Sequence, residues 1–286
     1  MVASTRQGAP RATLTDFDHE IFESDGFKHS VYRKGHGPAV IVIAEIPGLT
    51  PHVLGFAERV VMLGCTAVVP HLFGVRGEDL AQSGTLRDKV RALGVIARVC
   101  ISREFTKLAL GRSSPVVSWL RSLAAHEHAR CGGPGVGVVG MCFTGGFALA
   151  MASDARVLAP VLSQPSLPFS LSARHRHNID CEPEELARVA SRCANEGLRV
   201  LGLRFLQDPF VPGERFRFLK EKLGDGFVAV ELPQASRHPA GPLPFGHSIL
   251  TGDLIDEPGE PTRAALDQVL ALFRDKLLGP VTHIHA

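Results

Sequence analysis

Ten residues, Ala39-Val-Ile-Val-Ile-Ala-Glu-Ile-Pro-Gly48, restrict the fold of this chain more than any other stretch. Residues 39–43 are all aliphatic and four of them are β-branched, so the segment has no polar face. A strand without a polar face belongs inside a parallel sheet covered by helices on both sides. Pro47-Gly48 ends it in a turn. Phe56, Val60, Val61 and Leu63 then fall on one side of a helix that Gly64 stops. A second apolar strand follows, Cys65-Thr-Ala-Val-Val-Pro70. This β-α-β unit implies parallel strands and a right-handed crossover.

The same alternation continues. Residues 21–34 read as a weak strand or hairpin. Val116 to Ala129 is amphipathic, with Val116, Val117, Leu120 and Leu123 at helical spacing. Val136 to Gly140, Val157 to Leu162, Leu198 to Leu206 and Phe227 to Leu232 read as further strands. A Pro/Gly-rich loop over 233–260 precedes a terminal helix, Thr262 to Leu278. The expectation is an α/β fold: one doubly wound, mostly parallel sheet with helices on both faces. Residues 1–15 are expected to be flexible and 16–286 to form a single domain. The less periodic stretch 75–112 is expected to be a lid or insert over the sheet.

Composition narrows the function. Among 286 residues, 31 Lys and Arg face 29 Asp and Glu, and 45% are hydrophobic. That excludes a disordered chain. It also argues against a nucleic-acid partner, which needs a concentrated basic face. No apolar window is long enough to span a membrane and the first twenty residues have no signal-like apolar core. The six cysteines show no C-x-x-C spacing. These features lead to an expectation of a cytoplasmic protein with free thiols, monomeric or homodimeric, needing no cofactor.

Chemistry concentrates at Val138-Val-Gly140-Met-Cys142-Phe-Thr144-Gly-Gly146. A strand runs through Gly-x-Cys-x-Thr straight into a helix, the shape of a nucleophile elbow with Cys as the nucleophile. The tight turn requires a small residue at 140. A thiol at a helix start is favoured as thiolate, and the N–H of Phe143 would face a developing oxyanion. The alternative for Cys142 is a small buried hydrophobe at the start of a core helix. Gly135-Val-Gly-Val-Val-Gly140 matches a dinucleotide-binding pattern, but the motif contains the strand instead of following it, and no acid stands about twenty residues on. That match is accidental.

A nucleophile needs a base and the base an orienting acid. Asp208 lies just past the strand that ends at Leu206, and His247 lies in the loop after the last strand. Their order after Cys142 is that of α/β-hydrolases. His238 competes with His247 for the role of base. Glu45 ends an otherwise apolar strand, where an acid is rare unless paired or functional. The N–H of Ile46 falls in the slot of a second oxyanion donor. Ser248, beside His247, is the expected substrate-binding residue. The pairs His126/His128, His175/His177 and His283/His285 lack partners in a metal-ligand pattern and are expected to be solvated, with no metal site.

These pieces resemble the dienelactone hydrolase (carboxymethylenebutenolidase-like) family of the α/β-hydrolase fold. The matching segments are Ile43-Ala-Glu45-Ile-Pro-Gly48, Ala67-Val-Val-Pro70-His-Leu-Phe73, Gly140-Met-Cys142 with Gly145-Gly146, Asp208-Pro-Phe-Val-Pro212 and Gly246-His247-Ser248. They run over residues 25–275. The resemblance implies a hydrolase that cleaves a small ester or lactone through a triad of Cys142, His247 and Asp208 and a covalent acyl-enzyme. It also implies that Glu45 accepts the Cys142 proton when substrate arrives. The sequence departs from the family in two places. Thr144 stands where the elbow pattern has Gly. Thr251 stands where the founding enzymes place an arginine that binds the substrate carboxylate, and Arg76 and Arg87 are the candidates for a second one. A less anionic substrate is expected. The competing reading is non-enzymatic, a thiol redox sensor or ligand-binding protein on a hydrolase fold.

Overall fold

The computed structural model describes residues 13–73 and 110–279. Residues 75–109 of the expected lid or insert lie outside the described residues, as do Arg76, Arg87 and residues 1–12. The last part of the N-terminal segment forms a single helical turn, Leu14–Asp16, with Leu14 buried.

Among the described residues eight strands form one sheet. They are β1 (Asp18–Ser24), β2 (Phe27–Lys34), β3 (Ala39–Ile43), β4 (Thr66–Pro70), β5 (Val136–Met141), β6 (Val157–Ser163), β7 (Val200–Phe205) and β8 (Phe227–Leu232). Their spatial order is β1-β2-β4-β3-β5-β6-β7-β8. The β1–β2 hairpin joins antiparallel to β4, and every other pairing is parallel. The doubly wound, mostly parallel sheet expected from the sequence is therefore the one found.

Helices cover both faces. The longer ones are α1 (Pro51–Met62), α2 (Val116–Cys131), α5 (Pro183–Asn195), α6 (Gly213–Leu223) and α7 (Pro261–Phe273). Between them lie two short ones, α3 (Gly145–Met151) and α4 (Ala173–Arg176). Alternation along β3 shows why the apolar run has no polar face. Ile41 and Ile43 pack with Trp119 and Leu120 of α2, Phe147 of α3 and Val189 of α5. Val40 and Val42 pack on the other side with Leu54 and Phe56 of α1 and Leu266 and Val269 of α7. All five residues of β3 are fully buried, each β-branched side chain stabilising the fold by roughly 1.5–3 kcal/mol.

Helices α5 and α6 do not stand out in the sequence. Both are rich in charge, and their buried apolar residues are few: Leu186 and Val189 in one, Phe216, Leu219 and Leu223 in the other. In α5 the start is signalled by Pro183 at the first helical position followed by Glu184 and Glu185, a pattern that satisfies a helix N-terminus. Among the described residues no helix is long and apolar enough to cross a membrane.

Candidate active site

The carboxyl ends of the parallel strands converge on one edge of the sheet, the edge where open α/β sheets carry their sites. β3 delivers Glu45, β5 delivers Cys142, β7 is followed by Asp208, and His247 lies in the loop after β8. Residues separated by as many as 206 positions, Glu45 and Thr251, thereby meet.

Cys142 sits at the turn between β5 and α3 with φ +54°, a backbone conformation that costs a side-chain-bearing residue free energy and marks a built turn. Gly140 makes it passable. A Cβ at position 140 would lie 2.1 Å from the Thr144 carbonyl oxygen. Thr144, the departure from the elbow pattern, is wholly buried and has a definite task. Its hydroxyl accepts the Met141 N–H at 2.9 Å and lies 3.0 Å from the Ile43 carbonyl, to which it donates. The β-branched residue thus pins the elbow to the end of β3. Phe143 points into a cluster with Phe73, Phe147 and Phe169, ring centroids 5.7–6.5 Å away.

His247 is buried and its Nδ1 lies 2.6 Å from Asp208 Oδ2. His238, the competitor, instead accepts the Ala240 N–H at its own Nδ1. Phe210 packs edge-on against the His247 ring at 5.5 Å. The loop is held by a residue the sequence reading passed over. Asp253 Oδ2 accepts both the His247 N–H at 2.8 Å and the Ser248 N–H at 2.9 Å. Burial depresses the basicity of His247, yet a thiolate at Cys142 and the hydrogen-bonded Asp208 carboxylate outweigh it, so the imidazole pKa rises well above its usual value. Among the described residues none bonds His247 Nε2 at full hydrogen-bond geometry, and the side-chain interaction of His247 with Cys142 is one of the causes that raise its pKa.

Glu45 is buried and accepts from three side chains. Gln164 Nε2 donates at 3.1 Å and Ser248 Oγ at 2.8 Å, both to Oε2, and Thr251 Oγ1 donates to Oε1. Thr251, the residue in the place of an arginine, is a neutral donor to Glu45. The carboxylate thus links β3, the end of β6 and the His247 loop. Cys142 is not among its partners. The sulfur instead lies 3.4 Å from Ser166 Oγ. The N–H of Ile46, the expected oxyanion donor, follows Glu45 directly in the turn after β3.

Beneath these loops lies Arg215 of α6, fully buried. Its guanidinium donates to the carbonyls of Asn178 (2.8 Å), Pro165 (2.7 Å), Pro168 (2.6 Å), His175 (3.3 Å) and Phe210 (3.4 Å). Burial lowers its pKa to about 10 against the pull of Asp180 and Asp208. No local motif announces such a residue, because all its partners are distant backbone oxygens. Beside the site, Phe169, which packs on Phe143, and Phe210, which packs on His247, are exposed apolar groups. Among the described residues no group of three His, Cys, Asp or Glu side chains is placed to hold a metal ion.

A family model described as the dienelactone hydrolase family matches residues 28–231. A comparison with curated proteins returns no match. Among solved structures, the chain resembles a protein assigned as a dienelactone hydrolase from Klebsiella pneumoniae, with 17% identity and a TM-score of 0.57 over 90% of this chain and 97% of that one. It also resembles a dienelactone hydrolase-like promiscuous phosphotriesterase from metagenomic libraries, with 16% identity and a TM-score of 0.58 over 91% and 98% of the two chains. A third is a cold-adapted esterase from an Arctic intertidal metagenomic library, with 16% identity and a TM-score of 0.50 over 91% and 93%.

Proposed function

The chain belongs to the dienelactone hydrolase family and is a hydrolase, and from that premise we propose that it cleaves small, uncharged esters or lactones through a Cys142-His247-Asp208 triad and an acyl-thioester intermediate. The observation that carries this reading is the alignment of two features. A cysteine stands on a strained elbow at φ +54°, and a buried His247–Asp208 pair at 2.6 Å interacts with its side chain.

The cycle starts from a Cys142 thiolate and a His247 imidazolium. The sulfur attacks the carbonyl carbon, and the N–H groups of Phe143 and Ile46 receive the oxyanion. The intermediate collapses, the C–O bond breaks, and Nε2–H protonates the departing alkoxide. Acylation removes the thiolate charge that raised the pKa of His247, while burial continues to lower it. The imidazole is thus left neutral at the moment a base is needed. It takes a proton from water, the hydroxide adds to the thioester, and the thiolate leaves with release of the acid. Asp208 holds the ring orientation throughout. Glu45, with three donors on its carboxylate, keeps the His247 loop in register with β3.

Rapid quenching of the protein with p-nitrophenyl acetate, followed by peptide mass analysis, is expected to find one acetyl group on Cys142 and a stoichiometric burst of nitrophenol. Steady turnover with no acetylated Cys142, or acetyl on another residue, would sink the mechanism.

The apolar rim and the neutral Thr251 also set a preference. Neutral esters such as p-nitrophenyl butyrate are expected to exceed mono-p-nitrophenyl succinate in kcat/KM by roughly tenfold or more, the worth of an unmade charge-assisted hydrogen bond. Equal or better rates with the anionic ester would refute an uncharged substrate class.

A further inference from the structure

We propose that Ser166 is a further catalytic residue, the hydrogen-bond donor to the sulfur of Cys142. Its consequence for turnover rests on the proposed thiol mechanism, whereas its effect on the sulfur does not. Three observations converge on it. Ser166 Oγ lies 3.4 Å from Cys142 Sγ, and Ser166 N–H donates to the Cys142 carbonyl at 3.0 Å, so two bonds join this residue to the nucleophile. The side chain is 4% exposed, so water does not compete freely for the hydroxyl. The third observation is that its position is fixed from both sides. Arg215 holds the carbonyls of Pro165 and Pro168, and Gly145 of α3 lets Pro165 close in: a Cβ there would be 2.6 Å from the Pro165 Cα.

The carboxylate expected to attend the thiol, Glu45, is engaged by Gln164, Ser248 and Thr251, so the hydroxyl of Ser166 takes the place next to the sulfur. A donor to a thiolate stabilises it over the thiol, as donors to an anion do generally. It also orients the sulfur lone pairs, leaving one for attack. The ionisable group coupled to the sulfur is His247, with Asp208 behind it and Arg215 coupled in turn to Asp208. Replacing Ser166 removes a donor while leaving each of these in place.

The test is the rate of iodoacetamide alkylation of Cys142 as a function of pH, read by peptide mass analysis for wild type, Ser166→Ala and Ser166→Thr, with thermal melts to confirm folding. Ser166→Ala is expected to move the midpoint of the profile up by about one pH unit and to slow alkylation below that midpoint by roughly tenfold, the scale of one hydrogen bond to a charged group. In p-nitrophenyl acetate hydrolysis the loss should fall on kcat, with KM nearly unchanged. Ser166→Thr, which keeps the hydroxyl, is expected to restore most of both. An alanine profile that overlays wild type overturns the proposal, as does a well-folded threonine variant that behaves like alanine. If the profile shifts but wild type hydrolyses no ester, the proposed function fails and the role of Ser166 at the sulfur stands. If hydrolysis depends on Cys142 but the profile does not shift, the reverse holds.

Discussion

Cys142→Ala and His247→Ala are each expected to lower kcat/KM for p-nitrophenyl acetate by roughly a thousandfold or more, with the double variant scarcely worse than either. The non-additivity follows from the geometry. In the proposed triad the sulfur without His247 has no group to take its proton, and His247 without the sulfur has no nucleophile to serve. The two variants also differ in a measurable way. In Cys142→Ala the opposite charge that raises the His247 pKa is gone, leaving burial, which lowers it, against Asp208, which raises it. The ring should therefore titrate at lower pH than in wild type, visible by NMR of the imidazole protons. The sign also applies to stability. A histidine whose folded pKa is raised stabilises the fold below its unfolded value of about 6.5, and that contribution is lost as pH rises through the folded pKa. The wild-type protein should lose this increment above neutrality and Cys142→Ala should lose it at lower pH. A Cys142→Ala protein with wild-type turnover would exclude the triad. His247 titrating identically in both proteins would exclude the electrostatic coupling.

The second large effect is on stability. Arg215→Met fills much of the same volume yet deprives five backbone carbonyls of their donor. Buried acceptors left unpaired cost about 1–3 kcal/mol each when nothing replaces the donor, and relaxation lets some find water. A net loss of about 3–5 kcal/mol is expected, as for removing one member of a buried polar network. For a chain of this size that lowers Tm by about 10 °C. Arg215→Lys should recover only a fraction, since an ammonium cannot reach five acceptors spread round a planar fork. A melt of Arg215→Met within about 2 °C of wild type would mean that water already satisfies these carbonyls.

Much of this architecture is legible in the sequence because its signals are local. The apolar run at β3, the elbow around Cys142 and the Asp208 and His247 loops are contiguous patterns, and each marks the end of a strand. What escapes is held together across the fold. Ser166 and Gln164 are ordinary polar residues after β6 until the sheet brings Cys142 and Glu45 beside them. Asp253 reads as a loop acid until its carboxylate is seen to hold two N–H groups of the His247 segment. Thr144 looks like a misfit in the elbow. Only the approach of the Ile43 carbonyl explains it. The charged helices α5 and α6 carry their few apolar residues at helical spacing, so their periodicity is legible, but charge dominates both segments and hides how little each needs to bury.

The five carbonyls gathered on Arg215 come from three segments: the one after β6, the one around α4 and the turn after Asp208. One guanidinium thus acts as a common fastener for all three. Lengthening any one of these segments would pull its oxygen off a donor shared with the other two. Exposed side chains such as Phe169 and Phe210 are not held by that fastener, but their rings rest on Phe143 and His247, so exchanging either would reshape what enters and also shift the packing behind the nucleophile and its base.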